Sequence, residues 1–276
     1  MDRLKIDLSG IIRKRLGPKK TRFIPGFLLR GLEKVICQDD LNAMLDAAWP
    51  ARGSEFSRRI LDHLGITLEI EGLDRLPAAE PFVFASNHPL GGLDGIALVA
   101  ILGQRYGDPH LRVLVNDLLL NVEPLRDVFL PVNKFGAQGR EVARMLAEAY
   151  HEGKQIVMFP AGLVSRLHPD GEIRDLQWQK SFVSQALRYR RRIVPIRFEA
   201  LNSMRFYRTA RWRKRLHIPV NIEQALLPSE LVRARNRRFG ITFLPPVDPA
   251  AMQAQEKTPA RIAAEIREFC YLKKNH

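Results

Sequence analysis

The stretch PFVFASNHPLGGLDGIALVAIL, residues 81–102, joins two apolar runs through a polar loop rich in glycine. The first run predicts a buried strand at 81–86, and the second predicts a buried helix at 95–102. Further strands are expected at 112–115, 129–132, 155–159, 193–198, 218–222 and 240–244, and helices at 139–152, 178–188 and 259–272. This order of elements is typical of an α/β fold.

The loop of this stretch places a histidine and a carboxylate close together. We expect His88 at the carboxyl end of the strand and Asp94 at the amino end of the helix, and ligands bind at this edge of open α/β sheets. A histidine that takes a proton from a nucleophile needs a carboxylate to fix its tautomer and stabilise its charged form. The pair therefore predicts a proton-abstracting site, although short acidic residues such as Asp94 also cap helices without a catalytic role.

A second loop follows the strand predicted at 155–159. It contains Pro160 and Gly162 and ends in Ser165 and Arg166. Glycine lets the backbone approach a ligand closely, and we expect the Gly162 N–H to be free to donate to a developing oxyanion. This loop supplies a second candidate part of the same site.

Four short blocks, in this order along the chain, resemble those of glycerolipid acyltransferases of the lysophosphatidate acyltransferase type. The blocks are Asn87-His88 with Asp94, Val132-Asn133-Lys134, Phe159-Pro160-Ala161-Gly162 and Val194-Pro195-Ile196. The resemblance covers about residues 60 to 248. It is greatest to a bacterial branch, labelled as hemolysins, whose members are associated with acylating lyso-ornithine, lyso-glycine and related amino-acid lipids.

The resemblance implies a mixed sheet flanked by helices and an enzyme of bacterial membrane lipid biosynthesis. The implied reaction moves a fatty acyl group from a thioester of acyl carrier protein or coenzyme A directly to the hydroxyl of a lyso-lipid, either a lyso-amino-acid lipid or lysophosphatidate. In this reaction His88 is the general base, Asp94 orients it, and the Gly162 amide stabilises the tetrahedral oxyanion. The other residues implied to contact substrates are Asn87, Lys134, Phe159, Pro160, Ala161, Ser165 and Arg166.

The spacing between the histidine and the carboxylate departs from the family pattern. Five residues rather than the usual four separate His88 from Asp94. In a helical segment, one extra residue would rotate the carboxylate by about 100° around the axis. We expect the flexible Gly91-Gly92 pair to absorb that change.

The second and third blocks also depart from the family pattern. Ala161 and Leu163 stand where the family has a glutamate and a threonine, and Lys134 stands where it commonly has an arginine. A lysine is a point charge, whereas an arginine presents a bidentate fork to a phosphate. These changes disfavour an acceptor of the glycerol-3-phosphate type, and Ser165 and Arg166 are expected to supply compensating contacts.

The chain carries a formal net charge of +14, and much of it is concentrated in one segment. Between Arg188 and Arg215 there are eleven lysines and arginines against one acid, Glu199. Aromatic side chains are interleaved with them, namely Tyr189, Phe198, Phe206, Tyr207 and Trp212. This mixture suits an anionic bilayer surface, nucleic acid or the acidic surface of acyl carrier protein, and a solvated basic face is the simpler interpretation. Because no helix-turn-helix, zinc-finger or RNP pattern is present, we favour the membrane and expect no nucleic-acid partner.

Residues 1–60 predict a helical appendage, and residues 61–276 predict the acyltransferase domain. A basic amphipathic helix is expected at 4–16 and a second helical segment at 25–49. These helices either pack on the main domain or form a membrane-facing platform through which the acyl chain and the lipid acceptor enter. The longest clean apolar run, 96–102, has seven residues, whereas a bilayer span takes about twenty. We therefore expect a cytoplasmic protein that lies on the inner face of the cell membrane.

Other classes of protein stay open as alternatives. The same base would serve an N-acyltransferase acting on an amino-acid acceptor. A non-catalytic basic protein that binds membranes or nucleic acid would explain the charge but not the two loops. A serine hydrolase is disfavoured because no Gly-x-Ser-x-Gly motif occurs. Cys37 and Cys270 indicate no disulfide framework and the histidines do not cluster at ligand spacings, so we expect no metal and no cofactor besides the acyl thioester.

Overall fold

The computed structural model describes residues 3–13, 25–132, 136–219 and 221–272. Its strands are β1 (Thr67–Glu71), β2 (Val83–Ser86), β3 (Leu111–Asn116), β4 (Phe129–Val132), β5 (Gln155–Met158), β6 (Arg166–Leu167), β7 (Ile173–Arg174), β8 (Ile193–Glu199) and β9 (Arg238–Phe243). Seven of these described strands form one sheet in the order β1-β9-β8-β2-β5-β3-β4, and β6 and β7 form a separate hairpin. The β8–β9 pair is antiparallel and the other neighbours in the sheet are parallel. The prediction of a mixed sheet in an α/β fold is therefore confirmed.

Helices cover both faces of the sheet. They are α1 (Gly26–Val35), α2 (Gln38–Ala48), α3 (Gly53–His63), α4 (Gly92–Tyr106), α5 (Gly136–His151), α6 (Ser181–Arg188), α7 (Met204–Arg215), α8 (Leu227–Arg233), α9 (Pro249–Gln253) and α10 (Pro259–Phe269). Residues 8–13 are also helical. Short 3-10 helices occur in the connections, and one of them, Ile222–Leu226, follows α7.

Strand β2 lies in the middle of the sheet, and its side chains alternate between two cores. Phe84 packs in the core that contains residues of α2, α3 and α4. Val83 and Ala85 pack in the opposite core, together with residues of α6 and α10. Because successive residues of a strand point to opposite faces, a strand covered on both faces is apolar throughout. This double covering explains the unbroken apolar run that ends at Ser86.

Several predicted elements are present with different ends, and one is absent. Helix α4 begins at Gly92 rather than at residue 95, and the helix expected at 178–188 begins at Ser181. The strand predicted at 218–222 is wrong, because residues 218 and 219 have no regular structure and Ile222 begins a 3-10 helix. Pro219 lacks the N–H that a strand interior requires.

The segment expected as one helical stretch at 25–49 forms two helices. Cys37 lies between α1 and α2 in the left-handed conformation, with φ +53°. A non-glycine residue in this region ends a helix and changes the direction of the chain. The break lets α2 turn its apolar face toward the sheet.

The predicted division after residue 60 falls inside α3. Phe56 and Ile60 of α3 and Met44 of α2 are buried in the same core as Leu98 of α4. Helix α1 differs from α2 and α3, because Leu29 is the one buried residue in its described range. Helices α2 and α3 are therefore integral to the packing of the α/β domain.

The first described residues are tied to α2. Asn42 Oδ1 accepts a hydrogen bond from the Ile6 N–H at 2.7 Å, and Gln38 Oε1 accepts one from the Leu8 N–H at 2.8 Å. The amphipathic helix predicted at 4–16 is helical at 8–13, and its end lies outside the described residues. Among the helices of the described ranges, none has both the length and the apolar character needed to cross a bilayer.

Candidate active site

His88 and Asp94 form a hydrogen-bonded pair at the carboxyl end of β2. The Nδ1 atom of His88 lies 2.9 Å from Oδ2 of Asp94. Asp94 is fully buried, whereas the side chain of His88 is 18% exposed. Because a carboxylate only accepts hydrogen bonds, the proton lies on Nδ1 and Nε2 is left as the basic nitrogen. The pair can therefore take a proton from a group that reaches Nε2.

The loop between these residues explains how the long spacing is accommodated. The N–H groups of Leu90 and Gly91 also donate to Asp94 Oδ2, at 2.9 and 3.0 Å. Gly91 has a φ of +80°, and a Cβ placed there would lie 3.2 Å from side-chain carbons of Val164 and Leu227. Glycine is thus required by the conformation and by the close packing at Gly91. The loop wraps around the carboxylate and brings it under the imidazole.

Burial raises the pKa of the Asp94 carboxyl above its ordinary value. Hydrogen bonds from His88, Leu90 and Gly91 act in the opposite direction, but the loss of hydration is the larger effect. All three bonds reach Oδ2, and within the described residues Oδ1 is buried without a partner. A positive charge on His88 would be the natural counter-charge for this carboxylate.

Phe159 covers one face of the imidazole. The ring centroids of His88 and Phe159 are 4.2 Å apart, and the ring planes differ by 28°. Phe159 follows β5, the neighbour of β2 in the sheet, so the parallel pairing brings its ring to the same edge. The stacking restricts the plane of the imidazole.

A second buried carboxylate, Asp175, contacts the backbone of His88. Its Oδ1 accepts from the His88 N–H at 3.2 Å and from the Ser165 hydroxyl at 2.6 Å, and its Oδ2 accepts from Trp178 Nε1 at 2.9 Å. The Ser165 N–H donates to the His88 carbonyl at 2.8 Å. Sequence reasoning missed Asp175, because nothing in the chain distinguishes it among 30 acidic residues until the β6–β7 hairpin returns it to His88.

The backbone at Gly162 differs from the expectation. Its φ is +66°, and its N–H donates to the Phe159 carbonyl at 2.9 Å and so closes a turn after β5. The amide expected to be free is therefore already used. The next two N–H groups, those of Leu163 and Val164, have no acceptor within the described residues.

Arg166, expected to contact the substrate, points into the protein. Its guanidinium pairs with Glu223 at 3.0 Å and donates to the Val164 carbonyl at 2.9 Å. Glu223 is fully buried and also lies 3.0 Å from Arg213 of α7. The Arg166 guanidinium lies over the ring of Phe206, and burial lowers its pKa. Arg166 thus holds the β6–β7 hairpin to α7.

Three other residues expected at the substrate are also engaged by the protein. The amide of Asn87 donates to the Phe198 carbonyl at 3.0 Å and accepts from the Phe198 N–H at 2.6 Å, which fastens the end of β2 to β8. The hydroxyl of Ser165 is directed at Asp175, as described above. Pro160 is buried, and its carbonyl accepts from the Gln179 N–H at 3.0 Å.

Ala161 and Lys134 complete the predicted set. Ala161 is buried in the core that contains α6 and α10, and its position presents no carboxylate. Lys134 lies outside the described residues. Of the predicted residues, His88, Asp94 and Phe159 are therefore the ones that the structure brings together side chain to side chain.

A family model described as "Acyltransferase" matches residues 12–276. The chain belongs to this acyltransferase family. It is 36% identical over 266 residues to a lyso-glycine lipid O-acyltransferase of Bacteroides thetaiotaomicron, covering 96% of each chain. It is 38% identical over 266 residues to a lyso-glycine lipid O-acyltransferase of Phocaeicola vulgatus, covering 96% of this chain and 94% of the relative. Among solved structures it matches the 1-acyl-sn-glycerophosphate acyltransferase PlsC of Thermotoga maritima with a TM-score of 0.48 and 16% identity, over 79% of this chain and 75% of that one.

In this acyltransferase the basic segment at 188–215 divides into an engaged part and an exposed part. Arg191 donates to the carbonyls of Tyr150 and Lys154, and Arg192 pairs with Glu80. Of the exposed cations, Arg188 ends α6 and Arg190 follows that helix, while five lie on α7, namely Arg205, Arg208, Arg211, Lys214 and Arg215. The surface charge of this segment is thus concentrated on one helix.

The aromatic residues of the same segment have separate roles. Phe198, Phe206 and Tyr207 are core residues, and Tyr189 is half-buried. Trp212 is 67% exposed and borders a groove of about 390 Å³ beside α7. At the surface, most of the expected mixture of cations and aromatics therefore lies on α7, where five exposed cations accompany Trp212.

Proposed function

We propose that this acyltransferase transfers a fatty acyl group to the hydroxyl of a lyso-lipid of the lyso-glycine class. The observation that carries the proposal is the contact between His88 and Asp94, which leaves Nε2 of the imidazole as a base. The printed names of two relatives, which are similar over nearly the whole chain, support both the O-acyl chemistry and the acceptor class. Because Arg166 is bound to Glu223, it is occupied and offers no fork to a phosphate acceptor.

The proposed reaction is a direct transfer without an acyl-enzyme. Nε2 of His88 takes the proton of the acceptor hydroxyl, while the hydroxyl oxygen forms a bond to the thioester carbonyl carbon. The tetrahedral intermediate then collapses, the carbon–sulfur bond breaks, and the leaving thiolate receives the proton from the imidazolium. Asp94 stabilises that imidazolium and keeps the ring oriented. General-base help of this kind contributes about 10²- to 10⁴-fold in rate.

We assign the oxyanion contact to the backbone that follows Gly162 rather than to Gly162 itself. The N–H groups of Leu163 and Val164 have no protein acceptor in the described ranges. The same segment continues to Ser165, whose N–H is bonded to the carbonyl of His88. An N–H next to the base is suited to a charge that develops on the thioester oxygen.

The donor we propose is an acyl thioester of acyl carrier protein or of coenzyme A. A thioester suits a site with one base, because its carbonyl is electrophilic and its thiolate leaves readily. We propose no further cofactor. The choice between the two carriers is an outcome of the assay below.

We further propose that the enzyme works on the anionic inner face of the cell membrane. The exposed cations of α7 support this, since each basic residue near an anionic surface contributes about 1 kcal/mol. Exposed apolar side chains accompany them: Trp212 is 67% exposed, Leu216 62% and Ile222 44%. Helix α1 offers a second apolar surface through Phe27 and Leu28, which are 65% and 49% exposed. Apolar and cationic side chains together are typical of interfacial segments.

The test is a mass-spectrometric assay of the purified protein with acyl-coenzyme A and acyl carrier protein thioesters. Lyso-glycine lipid, lyso-ornithine lipid and lysophosphatidate are offered separately as acceptors, and His88→Ala is the control. We expect a diacyl product from the lyso-glycine lipid that is lost in the variant. Alkaline hydrolysis of the product distinguishes an ester, which is cleaved, from an amide, which would instead indicate N-acylation. No product from any acceptor with a folded enzyme would contradict the proposal.

A further inference from the structure

We infer that Asp175 is a positioning residue of the reaction, which holds the backbone of His88 so that the imidazole meets the acceptor hydroxyl. This inference rests on the proposed function. It concerns a residue 81 positions from Asp94 along the chain, whose carboxylate acts on His88 through the main chain and not through the ring.

The contacts of Asp175 match an ionised carboxylate. Both oxygens are used, and all three partners are donors: the His88 N–H, the Ser165 hydroxyl and the Trp178 indole N–H. The residue is fully buried, so such a charge is tolerated only because these hydrogen bonds replace its hydration.

With Asp175 included, His88 is held at every polar atom of its residue except Nε2. Its N–H is bonded to Asp175, its carbonyl to the Ser165 N–H, and its Nδ1 to Asp94. Phe159 stacks on the ring. The one unheld atom is the one that meets the substrate. A misplacement of about 1 Å at a catalytic group can lower the rate about 10²-fold.

Asp175 is itself fixed from the other side. Its N–H donates to the Tyr271 hydroxyl at 2.8 Å, and its carbonyl accepts from Arg267 at 2.6 Å. Arg267 also donates to the carbonyl of Leu176 at 3.1 Å. Helix α10 and the residue pair that follows it thus anchor the backbone of Asp175, and the carboxylate transmits this position to His88.

The first test compares Asp175→Asn with Asp170→Asn, the same chemical change at an exposed position of the same hairpin. An asparagine keeps the size of the side chain, but its NH₂ group cannot accept a hydrogen bond. The NH₂ group then faces one of the three donors that Asp175 accepts from, and that hydrogen bond is lost. We expect kcat for acyl transfer to fall about 10²-fold in Asp175→Asn with KM for the acceptor changed less than about threefold, and Asp170→Asn to match the wild type.

The second readout is the imidazole itself. In protein labelled with ¹⁵N-histidine, the Nδ1–H of His88 should give a slowly exchanging NMR signal, assigned by its loss in His88→Gln. We expect this signal to broaden or disappear in Asp175→Asn, because the ring is no longer held in one orientation. A role in packing alone would lower the thermal stability and leave the signal in place.

Ser165→Ala provides a milder variant, which decides the matter if Asp175→Asn does not fold. It removes one donor to Asp175 and keeps the Ser165 N–H, and we expect a severalfold fall in kcat with the same change in the His88 signal. Unchanged kcat and an unchanged signal in the folded variants would overturn the inference. If the wild type transfers no acyl group to any acceptor, the proposed function fails, whereas the NMR comparison still tests the hold of Asp175 on His88.

Discussion

His88 and Asp94 are in hydrogen-bond contact, Nδ1 to Oδ2 at 2.9 Å, although five residues separate them along the chain. The loop closes because the N–H groups of Leu90 and Gly91 donate to the same carboxylate oxygen. Asp94 therefore organises the beginning of α4 and the tautomer of His88 with one oxygen. Substitutions at His88 and at Asp94 should therefore show which part of the pair's contribution is to catalysis and which part is to the stability of the fold.

Replacing His88 by alanine should remove the base and leave the fold intact. The side chain is partly exposed at the sheet edge, and its loss deletes one hydrogen bond and one ring contact. We expect acyl transfer to fall about 10²- to 10⁴-fold with little change in the thermal unfolding midpoint. Product formation above a few per cent of the wild-type rate would rule out the general-base role.

Asp94→Asn should lose less activity than His88→Ala. The asparagine oxygen can still accept hydrogen bonds from Leu90 and Gly91, so part of the orientation of the loop survives. The stabilisation of the imidazolium is lost with the charge. Rates of both variants, measured with one acceptor at saturating donor, decide the order, and a loss in Asp94→Asn as large as that in His88→Ala would contradict it.

The raised pKa of Asp94 predicts that the free energy of unfolding depends on pH, and Asp94→Asn tests this. Because burial raises the pKa of Asp94 in the folded state, the folded protein binds more protons than the unfolded chain between about pH 4 and the raised pKa. This carboxyl therefore lowers the free energy of unfolding as the pH rises through that window. Urea unfolding from pH 4 to pH 7 should show the wild type losing stability relative to Asp94→Asn. The opposite trend would mean that the pKa is depressed.

Phe159→Leu should slow the reaction by loosening the imidazole. Leucine keeps apolar volume but cannot stack, and an aromatic pair contributes about 0.5 to 1.5 kcal/mol, which corresponds to about 2- to 10-fold in rate. The matched control is Phe239→Leu, a buried position on β9, where stability should fall without a comparable change in kcat. Equal rate effects in the two variants would falsify this role of the stacking.

Glu223→Gln should destabilise the protein. The substitution removes the buried carboxylate that lies between Arg166 and Arg213, and each guanidinium is left with little solvent to replace it. Breaking a buried pair in this way costs about 3 kcal/mol. Chemical denaturation measures the change, and Glu69→Gln, which affects an exposed pair with Arg238, should have no measurable effect. If the free energy of unfolding falls by less than about 1 kcal/mol, instead of the expected about 3 kcal/mol, the result would contradict a structural role for this cluster.

Neutralising α7 should weaken binding to anionic vesicles. We expect the triple change of Arg205, Arg208 and Arg211 to glutamine to lower the affinity about 100-fold at low salt, from about 1 kcal/mol for each residue. The control removes three exposed arginines elsewhere, at positions 126, 140 and 233, and so has the same net charge. Sedimentation with phosphatidylglycerol and phosphatidylcholine vesicles at low and high salt measures both. Equal losses in the two triple variants would assign the binding to net charge rather than to α7.

The sequence was sufficient to predict structural elements whose interacting groups are close together in the chain. The apolar runs on both sides of the loop predicted β2 and α4, because hydrophobic patterning reports burial directly. Their boundaries were less certain, since α4 begins at Gly92, where Asp94 binds the loop. The prediction of a strand at 218–222 was wrong for a local reason. Pro219, which is visible in the sequence, lacks the N–H that a strand interior requires.

The contacts of the second loop could not be predicted in this way. Ser165 and Arg166 were expected to face the substrate, yet their partners, Asp175 and Glu223, reach them only through the β6–β7 hairpin and through the packing of α7. Asn87 meets Phe198 across 111 residues because β2 and β8 are neighbours in the sheet. A spacing along the chain contains no information on such a pairing.

The sequence by itself determined the class of fold and the pair of His88 and Asp94, because a strand, a loop and a helix in succession form a local unit whose parts need no distant partner. The four ordered blocks that resemble those of glycerolipid acyltransferases indicated the family. The tertiary structure decided which polar groups remain free for the substrate. The β6–β7 hairpin brings Asp175 to the backbone of His88, and Arg166 of the same hairpin turns toward Glu223, which follows α7. Buried polar groups must find partners, and only the folded chain determines which partners lie within reach.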